Sequence, residues 1–205
     1  MQQSNFNWSD VSRTGYEALT RGNFEKAEKL FRTAIDNGEF AEEDLRLAYS
    51  FLVLGRCLSQ RGDWTGAEPM YHRALEIYEK VHGPEHEDVA FSLVGQARCR
   101  AQCGQHDYAV KLYNRALKVY EVLRGQEHED IVTTLEGLAQ CLMAQRNYEQ
   151  AIPVLERQIK TSAQVRGPFD EGSGNTFFSL ARCYDEMNND KKAIPYFLRA
   201  LEVYE

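Results

Sequence analysis

The sequence predicts an all-α protein, an α-solenoid of five stacked helical hairpins. Three observations point there. A cysteine returns at Cys57, Cys99, Cys141 and Cys183, each 42 residues after the last. Five gap-free segments share an alanine at Ala27, Ala67, Ala109, Ala151 and Ala193, spaced by 40, 42, 42 and 42 residues. In each segment a large apolar residue stands four places on, at Phe31, Tyr71, Tyr113, Leu155 and Phe197. A second alanine usually follows, at Ala34, Ala74, Ala116 and Ala200. Positions i, i+4 and i+7 share one face of an α-helix, and a fixed period of about 20–50 residues marks a stacked repeat.

Each alanine-bearing helix is the second of a pair. A first helical pattern precedes it, with a small residue at Gly15, Gly55, Ala97, Ala139 or Ala181 that lets another helix approach. Turn residues such as Arg61-Gly62-Asp63 and Asn188-Asn189-Asp190 separate the two. The chain therefore reads as a tail at 1–7 and a single array over 8–205, with repeats at about 8–47, 48–89, 90–131, 132–173 and 174–205. The stretches LEIYEKVHG (75–83) and LKVYEVLRG (117–125) extend the second helix to glycines suited to a helix end. Pro69, Pro153 and Pro195 fall two places after the first alanine, where the opening turn of a helix tolerates a missing N–H. The last residues, Leu201-Glu202-Val203-Tyr204-Glu205, are expected to lie inside a second helix without the polar closing helix that normally ends such an array, so that either the sequence is a fragment or the final apolar face is covered by a partner or another copy.

The small, aromatic and small positions resemble the tetratricopeptide repeat over residues 8–205, with Gln158 a departure in the fourth unit. That family's usual period is about 34 residues. The longer period, with the connectors GPEHEDVA (83–90) and GQEHEDIV (125–132), is similar to the kinesin light chain subtype. The resemblance implies a right-handed superhelix whose first helices line a concave groove able to hold an extended or helical peptide. At 3.6 residues per turn, Arg56, Arg98, Gln140 and Arg182 fall on that lining, each just before its cysteine, and Arg13 enters one face further round. Beside them lie Tyr49, Leu52, Val53, Phe91 and Val94, then Glu136 and Phe178, with Thr133, Met143 and Asn175. Guanidinium groups in a row suit bidentate contacts to carboxylates. The other reading is that they are solvated or paired with Glu136, Asp185 and Glu186. Kinesin light chains carry paired asparagines at places that here read Leu52-Val53, Val94-Gly95, Glu136-Gly137 and Phe178-Ser179, so their cargo specificity does not carry over. The lysine and asparagine carboxylate clamp of chaperone-binding members is also absent.

First helices in such a stack stand roughly 8–10 Å apart. That exceeds the limit of about 7 Å between Cα atoms of a disulfide, and a column so spaced cannot converge on one metal ion. Small apolar packing is the expected role of the four periodic cysteines, with redox or metal chemistry as the alternative. Cys103 is the candidate for an exposed thiol. His86-Glu87-Asp88 and His128-Glu129-Asp130 recur in the connectors, where Glu and Asp are expected to cap the next helix and meet its positive end. The third connector, GPFDEGSGNT (167–176), lacks the histidine. No metal site is expected.

A formal charge of -7 argues against a general nucleic-acid or anionic-membrane binder. No stretch approaches the roughly 18 apolar residues of a membrane span, and the polar start MQQSNFNWSD does not resemble a secretory signal. GxSxG, HExxH and CxxC signatures are absent from the sequence. The expectation is a cytoplasmic, non-catalytic adaptor without cofactor, which grips a protein or peptide partner bearing acidic and apolar residues. The alternative is a structural assembly module that self-associates through its last repeat.

Overall fold

A computed structural model describes residues 7–167 and 170–205, without the side chain of Glu171. All but Asn7 of the expected 1–7 tail, and Pro168 and Phe169 of the third connector, lie outside the described residues. Among the described residues ten helices follow in order and no strand occurs: α1 (Trp8–Thr20), α2 (Phe24–Asn37), α3 (Leu45–Gln60), α4 (Trp64–His82), α5 (Glu87–Gln102), α6 (His106–Arg124), α7 (Glu129–Ala144), α8 (Tyr148–Val165), α9 (Glu171–Glu186) and α10 (Asp190–Tyr204). The architecture is an all-α helical repeat solenoid. The chain divides into two compact units, Met1–Gly104 with α1 to α5 and Gln105–Glu205 with α6 to α10. Within each, every helix packs on the next in sequence, and in the first unit α3 also touches α1 and α5.

The helix ends follow local chemistry. Side chains of Asn23, Asp44 and Asp63 accept backbone N–H groups at the starts of α2, α3 and α4. At α5 and α7 the capping acceptors are the histidines rather than the acids expected there: His86 Nδ1 accepts Asp88 N–H and His128 Nδ1 accepts Asp130 N–H, each at 3.2 Å. The acids Glu87, Asp88, Glu129 and Asp130 instead occupy the first turns, against the positive helix end. The long helices α4 and α6 both run 19 residues and stop at Gly83 and Gly125, whose φ values of 81° and 74° favour glycine. The prolines are not in opening turns. Pro69, Pro153 and Pro195 are each the sixth residue of their helix. They are tolerated because both the ring and the residue four before it (Thr65, Glu149, Lys191) are exposed, so water can serve the carbonyl that loses its donor.

Aromatic rings filling space beside glycines set the helix spacing. In the first unit the Tyr71 ring of α4 lies between Gly55 of α3 and Gly95 of α5, and its hydroxyl is 3.3 Å from Ser59 Oγ. Phe31 of α2 lies over Gly15 in the same way. The second unit repeats the arrangement with Tyr113 of α6 over Gly137 of α7. Ala109 and Ala151 are 0% exposed. Leucine at either is expected to cost about 1–3 kcal/mol by overpacking, read as a lowered denaturation midpoint.

The four periodic thiols are buried and free, and Cys103 is exposed. Cys57 and Cys99 join one apolar cluster with Phe31, Leu54, Leu58 and Tyr71. Burial pushes the Cys57, Cys141 and Cys183 thiols up to about 11 and Cys99 to about 12. A folded-state pKa above the unfolded one, near 8.5 for a thiol, gives stability that is complete below about pH 8.5 and lost as pH rises toward the folded values. The denaturation midpoint is expected to fall above about pH 9, and to fall less steeply in Cys99→Ala.

Candidate functional site

On α3, residues at steps of four and seven before Arg56 share its face within roughly 40°, whereas a step of three turns roughly 60° toward the Cys57 side. That difference sorts the expected lining. Val53, three before Arg56, is 5% exposed and belongs to the core cluster, so it is not free lining. Leu52 is half-buried against the same cluster. Tyr49 is held edge-on between Trp8 and Phe31, with ring centroids at 6.1 and 5.9 Å, while Trp8 Nε1 donates to Ser50 Oγ at 3.0 Å. Desolvation, the larger cause, raises the Tyr49 pKa. On α5, Phe91 is exposed, Val94 half-buried and Arg98 exposed. What stays open in the first unit is thus Arg56, Phe91, Val94 and Arg98, with part of Leu52 and Tyr49. Arg13 on α1 pairs with Asp10 at 3.1 Å in a solvated one-turn contact.

The second unit has its own face. Gln140 donates to Glu136 Oε1 at 3.3 Å on α7. On α9 Phe178 meets Phe197 edge-on at 5.6 Å and remains 45% exposed, and Arg182 is exposed. Asn175 is already engaged, its Oδ1 accepting the Tyr204 hydroxyl at 2.6 Å, and the exposed Thr133 donates to the Asp130 carbonyl. A cleft of about 90 Å³ brings Glu136, Gln140, Met143 and Asn175 together with Gln158 of α8. Gln158 stands where the other repeats have a buried alanine. It is itself buried, and its amide has no hydrogen-bond partner among the described residues.

Two classes stand apart among the arginines. One class ties neighbouring elements together: Arg61 to Glu28, Arg100 to Glu68 at 2.6 Å and Arg157 to Glu121 at 2.6 Å, with Arg166 shared between Glu129 and Asp170. Its hydrogen bond to Arg166 holds the Glu129 carboxyl below the usual range, and the reciprocal bond raises Arg166. The other class is Arg56 and Arg98 in the first unit and Arg182 in the second. Among the described residues none of the three makes an ion pair or side-chain hydrogen bond, so the pairing with Glu136, Asp185 or Glu186 does not occur there.

Sequence reasoning missed two groups. Gln96, Arg100 and Glu68 form a polar knot, with Gln96 Nε2 donating to Glu68 Oε1 at 2.8 Å. His82, at the end of α4, stacks on His86 with centroids 3.9 Å apart. Its signal was the four-residue step from His82 to His86, hidden because the helix stops between them.

Among the described residues no helix is long and apolar enough to cross a membrane. A tetratricopeptide repeat model matches residues 46–122 and 130–205, and a second model of the same description matches 94–164. No curated protein matches the sequence. Solved structures share the fold at low identity. BtubC (BKLC) from P. vanneervenii is 22% identical at a TM-score of 0.82, covering 96% of this chain and 79% of that one. A putative kinesin light chain from Podosopora anserina with nearly identical TPR-like repeats is 18% identical at 0.79, covering 96% and 94%. MamA 41-end from Desulfovibrio magneticus RS-1 is 13% identical at 0.74, covering 96% and 94%. Small residues under aromatic rings, the 42-residue step and these matches agree, and the chain belongs to the tetratricopeptide repeat family, with repeats resembling those of kinesin light chains.

Proposed function

We propose that the protein is a non-catalytic adaptor whose first-helix faces bind partner segments carrying acidic and apolar side chains. The fold supports a protein-interaction or scaffold role, and the family is typically non-catalytic. The single observation that carries the finer reading is that the exposed Arg56 and Arg98 of the first unit have no carboxylate partner among the described residues. In the first unit, Arg56 and Arg98 stand with Phe91, which is 46% exposed. Guanidinium groups left unpaired on an acidic protein offer bidentate contacts to carboxylates, and an exposed ring beside them offers an apolar anchor. The cytoplasm is the compartment that suits free thiols.

An array of peptides varying in acidic and apolar content tests this. Peptides combining both are expected to bind, with salt-dependent affinity. Arg56→Glu and Arg98→Glu are each expected to weaken them about tenfold, equal to about 1.4 kcal/mol. Equal binding by wild type and both variants would remove this face as the site.

A second reading, self-association, is favoured by α10, where Ile194, Leu198, Leu201 and Tyr204 are 51–57% exposed along one stripe. Light scattering over a concentration series separates the two. Self-association predicts a mass that rises with concentration and returns to the monomer value in Leu198→Glu, whereas a strictly monomeric wild type excludes it.

A further inference from the structure

The α4–α5 connector holds a cluster of donor atoms for which the adaptor reading has no use. His82 ends α4, His86 precedes α5 and Asp88 stands in the first turn of α5. His82 Nε2 is 3.7 Å from Asp88 Oδ2, and His86 Nδ1 is 3.4 Å from the same oxygen. One donor atom from each of the three residues fits within a span of 4.8 Å. A tetrahedral ion with bonds of about 2.0–2.1 Å holds its donors roughly 3.3–3.4 Å apart. One edge of the triangle therefore already has the length such an ion requires and a second is a few tenths of an ångström longer, while the His86 ring, stacked on His82 with planes 17° apart, has to turn before both in-plane lone pairs meet on one ion. The His82 ring is steadied by stacking on Tyr78, with centroids 6.0 Å apart and planes 13° apart. The three side chains are 24, 40 and 39% exposed, so an ion can enter and water can complete its shell.

We propose that His82, His86 and Asp88 form a binding site for a divalent first-row transition ion of the zinc class, clamping the corner between α4 and α5. Two imidazoles and one carboxylate are the donor set of such an ion, whereas magnesium and calcium take oxygen donors. His86 Nδ1 has one lone pair, now accepting the Asp88 N–H at 3.2 Å. Coordination there displaces the helix cap, which makes the site one of moderate affinity. The next connector is an internal control. His128 and Asp130 repeat the pair, with Nδ1 to Oδ2 at 3.1 Å, but the place of His82, 42 residues on, is Arg124. A cation there repels a metal ion. His82→Arg therefore copies a residue that this repeat already accommodates at the same place.

The test is calorimetric titration of the untagged full chain with zinc under a non-chelating reductant, beside thermal unfolding with and without the ion. One zinc per chain is expected, with a raised melting temperature that magnesium does not produce. His82→Arg is expected to weaken binding at least tenfold while leaving the melting temperature without metal unchanged, and His82→Gln serves the same comparison if the arginine variant melts early. The proposal is overturned if zinc gives no saturable heat up to millimolar concentration, or if neither His82 variant weakens binding. Retention in both with loss in Cys103→Ser would assign the ion to a thiol and equally overturn it.

Discussion

Phe31→Ala is expected to lower stability by about 3–5 kcal/mol, the largest effect of any single substitution considered. The side chain is 0% exposed and sits in the cluster formed by Leu54, Leu58 and Tyr71. Removing it takes away the apolar burial and leaves a cavity against Gly15, where a Cβ would stand only 2.5 Å from Phe31 Cε2. Tyr49, edge-on to Phe31 at 5.9 Å, loses its partner as well. Because α1 contributes only the small residues Gly15 and Ala18 to the buried set, nothing on that helix is large enough to collapse into the space. Urea unfolding of the variant beside wild type measures the loss. A drop below about 1 kcal/mol would mean that the ring does not span the first hairpin.

Gly95→Leu is expected to cost about 3 kcal/mol, the upper end of the overpacking range. The informative comparison is Gly95→Ala, because helix propensity alone predicts a gain of up to about 1 kcal/mol for alanine in a helix interior. Packing predicts the opposite sign. A Cβ at Gly95 would fall against the buried Tyr71 ring, with even Cζ only 2.6 Å away. That ring cannot retreat, since Gly55 faces its other side with Cδ2 3.1 Å from the added-atom position. Trimming the ring should reverse the result. In Tyr71→Leu, Gly95→Ala is expected to become neutral or stabilising, a coupling of about 1–3 kcal/mol. A stabilising Gly95→Ala in the wild-type background would contradict this packing of α4 against α5.

Much of this was legible because the repeat multiplies weak signals. One alanine four places before a large apolar residue says little, but five at the same register fix which face of each second helix is buried. The extended α4 and α6, their terminal glycines and the buried thiols could be read for the same reason. Three features could not. The position of the helix starts is set by turn geometry, so the sixth-residue prolines were displaced in the reading by about one turn. Whether a residue beside Arg56 faces out or in depends on the rings of neighbouring helices: Tyr49 was drawn inward by Trp8 and Phe31, and Val53 by the core around Cys57. His82 joins His86 only because the chain reverses at Gly83, a proximity no helical period reports. The Gln158 amide was visible as a break in the alanine column, but the cleft it opens requires its neighbours in space.

The same register that turns Arg56, Arg98 and Arg182 outward turns the thiol after each of them inward, and Cys141 follows Gln140 in the same way. Thiol reactivity toward an aromatic disulfide reagent at about pH 8 therefore tests the arrangement most directly, because only thiolates that the reagent can reach respond. One fast thiol per native chain is predicted, abolished in Cys103→Ser, with the other four reacting only on unfolding. Two or more fast thiols in native protein, or a fast thiol persisting in Cys103→Ser, would contradict it.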